Sequence, residues 1–186
     1  MRIPPKYFPL AGLTAILIGV FLLLFPSFWR GEISWPGTKE PIIVDSALLK
    51  ATEPANSPTR IIIPSVKIDL PIVEAKVVQG YWETSATSAS HGLGSASPGD
   101  RGNMVLFAHA RKGLFLPLRN IKMGEVVEVF NNKEQKYRYQ VFEIKEVPPN
   151  QVEVISQTPD ERLTLYTCSG FLDSKRLVVV AKSIND

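Results

Sequence analysis

What this sequence has least of is reactive sulfur: Cys168 is the sole cysteine among 186 residues. One thiol excludes an internal disulfide framework. It leaves that thiol to be explained, either as a small buried hydrophobe or as a group that is used. Histidine is nearly as scarce, with only His91 and His109. An excess of one charge is also lacking: 21 lysines and arginines stand against 18 aspartates and glutamates, scattered among one another. There is no basic stripe of the kind a nucleic acid requires, and no nucleic-acid partner is expected. Acidic residues such as Asp100, Glu125, Glu128 and Glu134 show no liganding spacing, so neither a metal nor a cofactor is implied.

What the chain does have is an uneven distribution of apolar residues. Phe8 to Trp29 carries no charged residue, and about 20 apolar residues suffice to cross a hydrocarbon core. Tyr7, Phe28 and Trp29 suit the two interfaces, and Arg2 and Lys6 precede the span, which favours a cytoplasmic N-terminus and an extracellular domain. A cleaved signal peptide is the rival reading. Its apolar region is commonly about 7 to 15 residues and ends in a small-residue cleavage site, whereas this run is longer and ends in Phe-Pro-Ser-Phe-Trp-Arg. Residues 31–59 hold Pro36, Pro41, Pro54 and Pro58 among Ser, Thr, Glu and Lys, the composition of an extended spacer. Within it, Pro41 to Ala51 reads as a short helix.

From Arg60 onward, short runs of Val, Ile, Leu, Tyr and Phe alternate with Gly, Pro, Asn and Asp, and no long amphipathic helix interrupts them. The expected strands are Arg60–Ile63, Ile68–Val73, Met104–Ala108, Val126–Asn131, Lys136–Val147, Leu163–Cys168 and Arg176–Lys182, which imply an all-β sandwich or barrel. Lys136 to Ile144 alternates as a strand with one wet face does, while Leu177 to Ala181 is continuously apolar and reads as central. Gly80 to Asn103, rich in Ser, Ala and Gly, reads as a surface loop with a short helix. Phe115, Leu118 and Ile121, spaced by three, predict one helical turn.

The runs ending at Cys168 and beginning at Arg176 place a thiol beside a guanidinium if they pair as antiparallel neighbours. A nearby cation favours the thiolate, the nucleophilic form, and fixed guanidinium donors stabilise an oxyanion at an attacked carbonyl. Amide chemistry also needs a proton shuttle, for which imidazole is suited. His109 stands where a strand emerges at the domain rim, whereas His91 reads as a solvated turn residue. Taken singly, each group has a plainer reading: Cys168 as core, Arg176 in a surface ion pair with Asp173, His109 as a strand end.

Thr164-Leu165-Tyr166-Thr167-Cys168 resembles the Thr-Leu-x-Thr-Cys signature of the sortases, with Arg176 at the distance that family uses. Upstream, Arg60-Ile-Ile-Ile-Pro-Ser resembles the family's opening strand, and Pro98-Gly-Asp-Arg-Gly-Asn103 its Pro-Gly-x-x-Gly-Asn segment. Met104 to His109 resembles the strand leading to its histidine. Ala108 departs from the usual glycine before that histidine, and Arg111 is displaced by one position from a frequent arginine. The resemblance implies a closed eight-stranded β-barrel in which Cys168 is the nucleophile, His109 the general acid/base and Arg176 the oxyanion or substrate stabiliser. It further implies that Thr167 assists the oxyanion with its backbone or hydroxyl.

The domain organisation expected is an N-terminus and anchor over 1–30, a linker over 31–59 and a catalytic barrel over 60–186. The partners implied are secreted proteins bearing a C-terminal sorting signal and an amine acceptor, either a cell-wall precursor or a pilin lysine. Two rivals come from other classes: a hydrolytic cysteine peptidase, and a non-catalytic surface β-domain.

Overall fold

The computed structural model describes residues 56–184. The apolar run Phe8 to Trp29 and the helix expected over Pro41 to Ala51 lie outside the described residues. Among the described residues no helix is long and apolar enough to cross a membrane.

Period-two alternation writes most of the strands. In β1 (Pro58–Ile63) and β2 (Ile68–Ala75), Ile61, Ile63, Ile68, Leu70 and Ile72 turn inward, while Arg60, Asp69 and Val73 face solvent. A two-residue pair, β3 (Val77–Val78) and β4 (Tyr81–Trp82), forms a separate hairpin. There follow β5 (Ala89–Gly92), β6 (Gly102–Phe107), β7 (Val126–Asn131), β8 (Lys136–Val147), β9 (Glu161–Ser169) and β10 (Lys175–Ser183). Eight of these close into a barrel in the order β1-β2-β5-β6-β9-β10-β8-β7. The β2–β5 and β6–β9 pairs are parallel and the others antiparallel. Closure leaves the barrel no open edge.

The interior is filled by Ile61, Ile63, Leu106, Val127, Val129, Tyr139, Leu163, Leu165 and Val179, together with Leu114, Phe115 and Leu118 from the connection after β6. The helical turn expected from the spacing of Phe115, Leu118 and Ile121 is a 3-10 turn over Leu116–Asn120. β6 and β10 are apolar on both faces because both are covered: Val105 and Phe107 pack outward against Ala75, Trp82 and Ile155, and Val178 and Val180 against Val147. This is the burial that the continuous run Leu177 to Ala181 predicts.

One expectation fails. The segment Gly80 to Asn103 holds no helix and is a loop only in part: turns and bends over 83–88 and 93–101 flank the barrel strand β5, whose four residues are all buried, and β4 lies at its start. His91 is accordingly not a solvated turn residue but fully buried. Its Nδ1 lies 2.6 Å from Glu74 Oε1, and its Nε2 lies 3.0 Å from both Ser95 Oγ and the Ala96 carbonyl. Small side chains let neighbouring layers approach both faces of this strand, and hydrogen bonds offset the cost of burying polar groups there.

Candidate active site

Cys168 and Arg176 are brought together by the hairpin that joins β9 to β10. The turn reverses within Gly170–Ser174 by placing Gly170, Leu172 and Asp173 in the left-handed region, at φ of 77°, 50° and 57°. Its register sets Arg176 directly opposite Cys168, and directly opposed residues share a face with Cβ atoms about 5 Å apart. That face is the outer one, because Leu163, Leu165, Leu177 and Val179 point into the barrel and the intervening positions point out.

His109 arrives from the other flank. The parallel β6–β9 ladder ends at the pair Phe107 and Tyr166. The ladder is continued by a side chain: the Thr167 hydroxyl, buried on the inner face, donates to the Ala108 carbonyl over 2.7 Å. The His109 carbonyl accepts the N–H groups of Arg111 and Phe115 at 2.9 and 3.1 Å, which fixes the turn leaving the strand. Cys168 and Arg176 thus lie opposite each other on adjacent strands, and His109 leaves the end of the strand on the other flank of Cys168. All three line one cleft, with Tyr81, Trp82, Thr84, Phe107 and Tyr166.

Burial differs among the three. Cys168 and His109 are half-buried, and Cys168 is not in a disulfide. Arg176 is only 4% exposed. Its Nη1 donates to the carbonyls of Asp173 at 2.9 Å and Lys175 at 3.0 Å. The contact with Asp173 is therefore to its main chain and not the surface ion pair considered above, and no ion pair among the described residues includes Arg176. A buried cation without a carboxylate partner is costly. Here the two carbonyls orient it, and its positive field reaches a thiol that is more nucleophilic when ionised. Among the described residues no group of His, Cys, Asp and Glu is placed to hold a metal ion.

The cleft is also lined by aromatic residues that the reactive motifs do not mark. Trp82 and Phe107 stack with ring centroids 5.8 Å apart, and Phe107 and Tyr166 at 4.9 Å. Phe107 and Tyr166 precede His109 and Cys168 by two residues, so period-two counting from the reactive residues could have found them. Trp82 gave no such signal, because it lies in the segment read as loop. At the hairpin tip beside the cleft, Phe171 and Leu172 are 85% and 67% exposed.

The site is thus a thiol, an imidazole and a guanidinium lining one cleft on the outer face of a closed β-barrel. The sortase domain model matches residues 61–184, and the chain belongs to the sortase family. It is 33% identical over 155 residues to sortase A of Streptococcus agalactiae, covering 76% of this chain and 59% of that one. It is 30% identical over 125 residues to sortase A of Bacillus anthracis, covering 66% and 57%. The chain thus spans less than two thirds of the length of these relatives. Among solved structures, sortase A from Corynebacterium diphtheriae is similar with a TM-score of 0.61 at 26% identity, covering 74% of this chain and 64% of that one. The pilus-related sortase C of group B Streptococcus is similar with a TM-score of 0.60 at 28% identity, covering 72% and 70%.

Proposed function

We propose that this protein is a membrane-anchored cysteine transpeptidase that cuts a C-terminal sorting motif of the Leu-Pro-x-Thr-Gly kind and passes the acyl group to an amine. The single observation that carries this reading is the convergence of His109, Cys168 and Arg176 on one cleft. The Cys168 thiolate attacks the scissile carbonyl, and the oxyanion that develops is met by the Arg176 guanidinium, whose carbonyl partners hold it in place before the reaction. As the C–N bond breaks, His109 gives its proton to the departing amine, leaving a thioester on Cys168. An acceptor amine then attacks the thioester, His109 takes the proton, and the C–S bond breaks to release the product and return Cys168 to the thiolate with His109 protonated. The acceptor class is a cell-wall precursor or a pilin lysine, and the donor is a secreted protein with a sorting signal.

Thr167 contributes chiefly as a tie. Its hydroxyl is committed to the Ala108 carbonyl, so any part it has in holding the oxyanion falls to its backbone.

Residues 1–30 are assigned to a cytoplasmic N-terminus and membrane span, 31–59 to an extracellular linker and 60–186 to the catalytic barrel. Anchoring raises the effective concentration of enzyme and substrate at the same outer surface without new contacts. The test is replacement of Cys168 by Ala, which should abolish thioester formation while leaving the fold intact. Full residual transfer in that variant refutes the assignment. Product analysis with and without an added amine separates transfer from hydrolysis.

A further inference from the structure

His109 begins a connection whose two faces differ in kind. Leu114, Phe115, Leu118 and Ile121 pack into the barrel core, while Arg111, Lys112, Arg119 and Lys122 are exposed. No aspartate or glutamate occurs from Arg101 to Gly124. Packing accounts for the apolar face and leaves the four cations on the other without a structural cause.

The hairpin tip beyond Cys168 shows a second surplus. Phe171 and Leu172 are 85% and 67% exposed, and Leu172 holds φ 50° and ψ 40°. Glycine or asparagine suits a left-handed turn position, whereas leucine there is strained. The turn therefore needs the backbone shape but not these side chains, and no core cluster among the described residues contains them. The two features adjoin, because Arg119 and Gly170 line one pocket together with Glu146, Ser169 and Leu177. The acids nearby are Glu146, paired with Lys175 at 3.2 Å, and Asp173 at the tip. An excess of cations remains beside two apolar side chains held in solvent. That is the combination by which a protein surface sits in the headgroup layer of an anionic membrane.

We propose that the thiol end of the barrel docks on an anionic lipid surface. Phe171 and Leu172 enter the headgroup layer, and Arg111, Lys112, Arg119 and Lys122 pair with lipid phosphates. An amine presented at that surface then meets the thioester without leaving it. Entry of the chain at the opposite end is no obstacle, because residues 31–59 reach about 90 Å when extended, further than the barrel is long. This inference rests on the membrane-anchored reading above.

The test uses the full chain in vesicles of mixed phosphatidylcholine and phosphatidylglycerol. Cys168→Ala removes the native thiol, and Phe171→Cys or, at the opposite end, Lys133→Cys carries an environment-sensitive fluorophore. Brominated lipid should quench the probe at 171 about threefold more than the probe at 133. Arg111→Glu combined with Arg119→Glu should cut that excess by about half or more, as should vesicles of phosphatidylcholine alone. Leu172→Ser should lower it too, which separates the tip's own contact from any pull of the fluorophore. All the substituted side chains are exposed, and an unchanged thermal midpoint checks that the variants fold. Equal quenching at both positions, or an excess indifferent to lipid charge or to the two reversals, overturns the inference. A response at 171 that appears only as protein density rises assigns the tip to a second copy of the chain and overturns it as well. A chain that fails to float with the vesicles on a density gradient overturns the anchor reading along with it. A chain that floats while the two probes respond alike overturns this inference alone.

Discussion

Arg176 holds its charge where charge is expensive, at 4% exposure and steered by two main-chain carbonyls. In the proposed oxyanion role its planar fork is what matters, so Arg176→Lys should lower kcat by about 100-fold with KM changed only a few-fold. Steady-state rates check this, and a near-wild-type Arg176→Met would remove the guanidinium from the chemistry. Thr167→Val leaves the Ala108 carbonyl buried without its donor, and a loss of about 1–3 kcal/mol is expected in denaturant unfolding. Cys168 and Arg176 were legible in the sequence because one short hairpin joins them, and a register is enough to make them neighbours. The partner of Thr167 was not legible, since Ala108 lies 59 positions away and nothing local in either segment names the other.

Strands with one dry face announced themselves. Val126–Asn131 and Lys136–Val147 have the boundaries expected from alternation, because apolar side chains must point one way and polar ones the other. β5 gave no such sign. Ala89, Ser90, His91 and Gly92 lack the branched and aromatic residues that mark a strand, and their burial is made tolerable by hydrogen bonds to residues the local sequence does not reveal. The consequence is measurable. His91→Phe removes the polar ring that Glu74, Ser95 and Ala96 meet, and about 1–3 kcal/mol of stability should be lost for each partner left buried and unsatisfied. A thermal midpoint equal to wild type would show that the network contributes nothing.

The barrel has two ends with different business. β1 begins opposite Asn131, near the start of β8, whereas Arg176 faces Val147 at its finish. The 12 residues of β8 set those points about 37 Å apart, so the chain enters at the end remote from the thiol. Charge placement bounds the pH range of the fold. Lys175 holds the Glu146 carboxyl below its usual range, Arg162 does the same for Asp160, and the Ser65 hydroxyl for Glu125. The stability these groups add is present above the unfolded carboxylate values near pH 4 and is lost as pH falls through the lower folded ones. Burial, assisted by Glu161, pushes the Tyr139 phenol upward. Its contribution is present below about pH 10 and fades above it. The thermal midpoint should therefore be level between roughly pH 5 and 9 and fall on both sides; a steady slope through neutrality would contradict this. On intact wall-stripped cells an external protease should reach the barrel, and protection would reverse the proposed orientation. The most direct measurement is mass spectrometry of the full chain mixed with a Leu-Pro-x-Thr-Gly peptide and quenched in acid. An adduct on Cys168 carrying the acyl portion without the glycine tail is expected, and it should disappear when an amine is added. Cleavage with no adduct, or an adduct that survives in Cys168→Ala, contradicts a thioester at this site.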